Sequence, residues 1–490
     1  MDAKPIPFIV NVPNKELEDL KQRLQDARLP DELEGTGWQQ GMDAATLQKL
    51  LDYWKNQFEW RKIEKYLNTF KQYTLPVNGI NMHFVHERAV LEAPTATPIL
   101  LLHGWPGSFY EFHRLIHPLT TGRNVTHAQS PAAAAESGEP RGANSSEPEL
   151  TDWTTPANTR SEASFRQREP LFNVVVPSLP GYGFSSAPKQ PGFGIVEMAK
   201  TMNALMLSLG YPRYVAQGGD WGSIICQALA RNHPENCVGI HINMCYAPPT
   251  LTSPLQLLQV ANAALCYYLP SLVPSFFLTP SETRGLLRLQ EFKSSGSGYS
   301  AVHSTKPQTL GYALTDSPVG LLAWIVEKFH GWSDLSGHTL FQRYAPADLL
   351  TNVSIYHFTR CITSSMRLYL ESKDPADQAA SLTRSYIKAP VAVAVFPHEI
   401  IQASAHPSVD ALGVRGAQGK RCQLWRPKPF LPHHVQVPRA WAEARMNVAQ
   451  WNEFASGGHF AALEEPQALL QDIRSFVDKH VVSGAVLHSM

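Results

Sequence analysis

The sequence predicts an α/β architecture: a mostly parallel central sheet, an inserted helical lid and an N-terminal helical extension. Three observations predict it. The continuous apolar runs Pro98–Leu102, Phe172–Val176, Tyr214–Gln217, Val238–Ile242 and Val391–Phe396 have the composition of strands covered on both faces, and segments with helical periodicity separate them. That alternation gives a sheet with helices on both sides. Residues 243–390 lie between the fourth and fifth runs, far more than a crossover needs. Finally, Leu17, Leu20 and Leu24, then Leu47, Leu50, Leu51, Trp54 and Phe58, place an apolar stripe on each of two helices ahead of the first strands.

In chain order, residues 1–95 read as a helical segment that wraps the core and ends in a short alternating strand at Met82–Val85. Residues 96–246 form the first part of the α/β core, 247–388 the lid and 389–490 the second part of the core. Two segments fall outside this plan. Residues 121–170 combine Ala, Ser, Pro, Glu and Thr with few large aliphatics, a composition that cannot bury enough area to order itself. Residues 404–437 are punctuated by Pro and Gly and carry Arg415, Lys420, Arg421, Arg426 and Lys428, a charge excess that reads as a solvated loop. Both are expected to be inserts.

Composition excludes several function classes. Lys plus Arg and Asp plus Glu are each 42 in 490 residues, so the balanced chain has no electrostatic footprint for nucleic acid or an anionic surface. Six scattered cysteines without a C-x-x-C pair point to neither a zinc site nor a disulfide framework, and no metal is expected. The start, Met1 to Leu20, lacks an apolar signal-peptide core and a membrane span, so a cytoplasmic, reducing location is expected. The uncharged stretch Leu255–Leu278 is broken by Pro270 and Pro274 and reads as a buried helical hairpin, although it leaves peripheral contact with a membrane open.

The chemistry concentrates in a few turns. In Gln217-Gly218-Gly219-Asp220-Trp221-Gly222, an acid between small residues follows a strand and opens a helix, the pattern of a nucleophile elbow. An aspartate there is too weak for amides. It suits attack on a saturated carbon with a strained leaving group, giving an ester that water must cleave. His103-Gly104-Trp105-Pro106-Gly107 follows strand Pro98–Leu102 and can aim the Trp105 N–H, with that of Trp221, as an oxyanion hole. Glu399 follows Val391–Phe396, and His459 lies in Gly457-Gly458-His459-Phe460. Nucleophile, acid, histidine is the chain order of an α/β-hydrolase fold, with His459 activating water and Glu399 orienting it.

These segments also carry a resemblance. Residues 218–223 (Gly-Gly-Asp-Trp-Gly-Ser), 103–108 (His-Gly-Trp-Pro-Gly-Ser), 177–185, 305–321 and 457–466 closely resemble the microsomal-type epoxide hydrolases. Arg28-Leu29-Pro30, Trp38, Tyr53-Trp54, Trp60-Arg61 and Leu67-Asn68 resemble that family's N-terminal domain. The resemblance implies hydrolysis of an epoxide to a vicinal diol with no cofactor; Trp105, Trp221, Phe109 and the uncharged segment Leu255–Leu278 point to an apolar, bulky one, and the partners expected are a small epoxide and water, with the oligomeric state open. It also implies that Tyr299 and Tyr369 donate protons to the epoxide oxygen, and that His103, Gly104, Trp105, Pro106 and Phe109 line the substrate site. Detoxification and aromatic-hydrocarbon catabolism are the roles expected with it, and lipid or biosynthetic epoxides stay open beside them. Two alternatives stay open: a haloalkane dehalogenase-like hydrolase, and a hydrolase-fold binding protein impaired by the insert next to Glu399.

Overall fold

The computed structural model describes residues 4–90, 96–125, 170–249, 254–261 apart from 255 and 259, 292–383, 385–400 and 438–482. The expected insert 121–170, apart from 121–125 and 170, the whole of the expected insert 404–437, and most of the Leu255–Leu278 stretch lie outside the described residues.

Nine strands form one sheet: β1 (Ile6–Phe8), β2 (Gln72–Val77), β3 (Ile80–Glu87), β4 (Thr97–Leu102), β5 (Phe172–Pro177), β6 (Tyr214–Gly218), β7 (Cys237–Ile242), β8 (Ile387–Val395) and β9 (Met446–Glu453). Their order is β1-β2-β3-β5-β4-β6-β7-β8-β9. The pairs from β1 to β5 are antiparallel, and those from β5 across β4 to β9 are parallel. The strand side chains alternate between two cores: Leu100 and Leu102 join one cluster, Ile99 and Leu101 the other. Helices Ile195–Ser208 and Asp220–Asn232 contribute to the first cluster, and Pro466–Phe476 to the second.

The N-terminal region therefore adds more than helices, because three of its segments extend the sheet. β1 is too short to show a period. In β2, Pro76 weakens the strand pattern, but β1 pairs only Gln72–Thr74, so Pro76 faces no partner on that side. Asn78 (φ 49°) and Gly79 (φ 77°) make the two-residue hairpin turn between β2 and β3. The second predicted helix ends at Asn56, before Phe58, and a separate helix Trp60–Leu67 follows. Asn68 then clips the chain start, accepting from the Val10 N–H at 2.8 Å and donating to its carbonyl at 2.9 Å.

Helices between β7 and β8, among them Gly298–His303, Pro307–Asp316, Pro318–Trp332, Pro346–Thr359 and Ile362–Glu371, cover the carboxyl ends of the parallel strands. The N-terminal region holds this lid from outside: Trp38 stacks on His330 with ring centroids 3.7 Å apart, and Arg23 pairs with Asp316 at 2.9 Å. No helix among the described residues is long and apolar enough to cross a membrane.

Candidate active site

In a parallel sheet, chemistry collects at the carboxyl ends of strands flanking the point where the order reverses. Here that point is β4, between β5 and β6. The segment after β4 carries Trp105, and the turn after β6 carries Asp220. Asp220 sits at φ +47°, a conformation that costs a side-chain-bearing residue about 1–3 kcal/mol. The surrounding backbone enforces it: a Cβ on Gly222 would stand 2.0 Å from the Leu102 carbonyl oxygen, and one on Gly104 would stand 2.3 Å from Asp220 Oδ1. Only glycines allow the β4 and β6 turns to close this far.

The carboxylate of Asp220 is buried and points two ways. Oδ1 accepts the Trp105 backbone N–H at 2.8 Å, and Oδ2 stands 3.4 Å from His459 Nε2. The Trp221 N–H belongs to the first turn of helix Asp220–Asn232 and has no acceptor within the helix. His459 Nδ1 meets Glu399 Oε1 at 2.5 Å, and that oxygen also accepts the Ile400 N–H at 2.7 Å. Acid and histidine are brought together by a short parallel bridge between the loops after β8 and β9, His398 to Gly458, with His398 N–H bonding the Gly457 carbonyl at 3.0 Å.

Burial alone would lower the His459 pKa. The charges and hydrogen bonds of Glu399 and Asp220 outweigh it and hold the imidazolium well above the usual histidine range. Burial raises the Glu399 carboxyl, and its contact with His459 opposes that.

Above the carboxylate is a nest of rings from the lid. Tyr299 stacks on Trp105 with centroids 5.1 Å apart, Tyr369 meets Trp221 edge-on at 4.8 Å, and the two tyrosine rings are 5.8 Å apart. Burial, then the neighbouring Tyr299 and Asp220, push the Tyr369 phenol well above 10, and its hydroxyl lies beside the Trp221 indole without reaching hydrogen-bonding geometry. Trp332 closes the nest: its ring is 5.1 Å from that of His459 and 5.2 Å from that of Tyr299, and its carbonyl accepts the His459 N–H at 3.0 Å.

Two residues expected in the substrate lining sit elsewhere. Both ring nitrogens of His103 are taken by backbone, Nδ1 at 3.0 Å from the Gly104 carbonyl and Nε2 accepting the Leu179 N–H at 3.2 Å. Its role is to join two loops, and burial lowers its pKa to about 4. Phe109 belongs to the core beneath the site, packed on His83 and Phe184. Phe109 opens the short helix Phe109–Phe112, whose rings enter that core. Pro106 borders the site through a cis Trp105–Pro106 peptide, and its carbonyl accepts from Asn352 at 2.7 Å. Sequence patterns missed Trp332, His303 and Lys328. For Lys328 and Trp332 the available signal was the spacing Trp324, Lys328, Trp332, which puts a cation on an aromatic helix face.

Residues 5–112 match the family model described as epoxide hydrolase N terminus, and 163–410 match the alpha/beta hydrolase fold. A putative epoxide hydrolase of Stigmatella aurantiaca is 34% identical over 469 residues, covering 96% of this chain and 83% of its own length. Epoxide hydrolase 1 of Sus scrofa is 32% identical, covering 96% of this chain and 88% of its own. Among solved structures, juvenile hormone epoxide hydrolase of the silkworm Bombyx mori superposes with a TM-score of 0.74 at 26% identity, covering 99% of this chain and 96% of that one. Aspergillus niger epoxide hydrolase gives 0.69 at 28% identity, with 98% and 97% covered.

Proposed function

The chain belongs to the epoxide hydrolase family and is a hydrolase of the strained ether bond; from that premise we propose that it opens an apolar epoxide through an ester on Asp220. The observation that carries this assignment is the divided carboxylate of Asp220, with Oδ1 on the Trp105 N–H and Oδ2 directed at His459. Oδ2 attacks an epoxide carbon, the C–O bond breaks, and the oxygen takes a proton from the tyrosine pair Tyr299 and Tyr369. A phenol suits this step because it keeps its proton at neutral pH yet donates to a developing alkoxide.

Esterification then changes the electrostatics of the base. Asp220 loses its charge, one of the contributions that hold the His459 imidazolium, so the ring releases its proton to solvent and can accept one from water; it takes a proton back from solvent once the Asp220 carboxylate is regenerated. Water attacks Cγ of the ester, the oxyanion forms on Oδ1, and the N–H groups of Trp105 and Trp221 stabilise it. Glu399 holds the ring in place and balances the imidazolium. The proton on His459 passes to the departing alkoxide, completing the diol, and the second proton of the water restores the tyrosine.

The rings of Trp105, Trp221, Trp332, Phe292 and Tyr369 support an apolar, bulky epoxide. Epoxides of aromatic hydrocarbons fall in that class, and their hydrolysis would remove an electrophile, which is the detoxifying role we assign. The test is the mass of the protein after mixing with styrene oxide. In His459→Gln the intact mass rises by that of one epoxide, with the adduct on Asp220. An Asp220→Ala variant that still forms diol would refute the assignment.

A further inference from the structure

One charged side chain in the lid has no part in the steps above. Lys328, on helix Pro318–Trp332, keeps only 7% of its side chain exposed, and its ammonium stands 4.7 Å from the centroid of the Tyr299 ring. Trp324 and Trp332, one helical turn before and after it, lie 5.6 and 5.9 Å from the same ammonium. Burying an ammonium among rings costs free energy that a methionine of similar length would not incur. The partner Glu327 offsets part of that cost from a more exposed position. A purely structural filler would not need the charge.

The charge is placed where the reaction needs it. When an epoxide oxygen takes a proton from a phenol, the electron pair of the O–H bond stays behind and spreads into the ring. A cation over that ring is attracted weakly by the neutral phenol and strongly by the phenolate, so its contribution grows along the step. Tyr369 has no such neighbour among the described cations; it is ringed by Trp105, Trp221, His303 and Tyr299. The groups facing the Lys328 ammonium are Glu327, Tyr299 and His303, and burial followed by the Lys328 charge keeps His303 neutral, with a pKa of about 3.

We propose that Lys328 is a positioning residue for ring opening that acts through Tyr299: its ammonium stabilises the charge left on the phenol, making Tyr299 the principal proton donor while Tyr369 donates a hydrogen bond and keeps its proton. The balance is complete without a co-reactant. The Asp220 Oδ2–carbon bond forms, the carbon–oxygen bond of the epoxide breaks, the oxygen takes the Tyr299 proton, and the phenolate recovers a proton from the water that later cleaves the ester. This rests on the assignment of Tyr299 as a donor.

The test is the single-turnover rate of epoxide loss, with enzyme in excess, in the wild type, Lys328→Met, Lys328→Arg, Tyr299→Phe and the double variant Tyr299→Phe/Lys328→Met. Lys328→Met should slow ring opening about 10-fold, leave ester hydrolysis unchanged, and add nothing in the Tyr299→Phe background. Lys328→Arg, which keeps the cation, should recover most of the loss. A smaller deficit is expected for an epoxide bearing a trifluoromethyl group, whose less basic alkoxide draws less on the proton. Where Lys328→Met loses its thermal transition, Lys328→Gln takes its place. An equal deficit with and without Tyr299, or an equal slowing of both half-reactions, overturns the proposal. Ring opening in Tyr299→Phe as fast as in the wild type would instead remove the donor assignment on which it rests.

Discussion

The two halves of the site are held by different physics. On the sheet side, Asp220, His459 and Glu399 are fixed by backbone: a positive-φ turn, glycines packed against carbonyls, a loop-to-loop bridge and N–H groups aimed at carboxylates. On the lid side, Tyr299, Tyr369 and Trp332 are fixed by ring against ring. The first arrangement suits charge that forms at one defined point, the carboxyl carbon of Asp220. The second suits a variable apolar body, with donors suspended over it. Each half should therefore control its own half-reaction, the sheet side ester cleavage and the lid side ring opening.

The largest effect that divides the halves is expected from His459→Gln. Ester hydrolysis should fall by about 10³-fold or more while ring opening continues, so rapid-quench traces show a burst of epoxide loss without matching diol. A parallel fall in both steps would break the division. Glu399→Gln should be milder, about 10²-fold on hydrolysis. It also carries a pH signature. Hydrolysis needs neutral His459 and rises with pH through the histidine's titration; Glu399 raises that pKa, so its loss should move the acid limb of kcat to lower pH.

On the lid side, Tyr369→Phe should slow ring opening about 10-fold and leave hydrolysis of a preformed ester unchanged. The smallest effect is expected at Glu111, whose carboxyl lies against Gly107 within reach of the charges of His459 and Asp220, and which burial pushes up to about 8. A group with a raised folded pKa contributes stability that is present below its unfolded value and lost as pH rises toward about 8. Glu111→Gln should therefore raise the thermal midpoint more at pH 9 than at pH 5, as measured by calorimetry. An equal shift at both pH values would show that the carboxyl ionises as freely folded as unfolded.

The same division explains what could be read from the residues alone. The buried parallel strands are continuous apolar runs, so Pro98–Leu102 and Phe172–Val176 were legible, and the sheet-side residues announce themselves because glycine is required wherever backbone approaches Asp220 or His459. β1 and β2 were not legible. Three residues show no period, and Pro76 masks a strand that tolerates it only because β1 stops at Thr74. The Asn78-Gly79 pair was the signal that would have exposed the β2–β3 hairpin. Ring packing leaves little trace in sequence: Tyr299 and Tyr369 came from family resemblance, Trp332 was missed, and Phe109 was placed in the lining though it packs beneath it on His83. His103 was misplaced for a related reason, since nothing in the motif says which backbone groups its ring will bind.

By the mechanism proposed above, water attacks Asp220 and never the epoxide. One turnover in H₂¹⁸O with enzyme in excess, followed by mass spectrometry of the diol and of the peptide containing Asp220, tests it directly. The diol of that turnover should contain no label, and the Asp220 carboxylate should gain one ¹⁸O. Label in the diol with none in Asp220 would mean direct attack by water and would contradict the account.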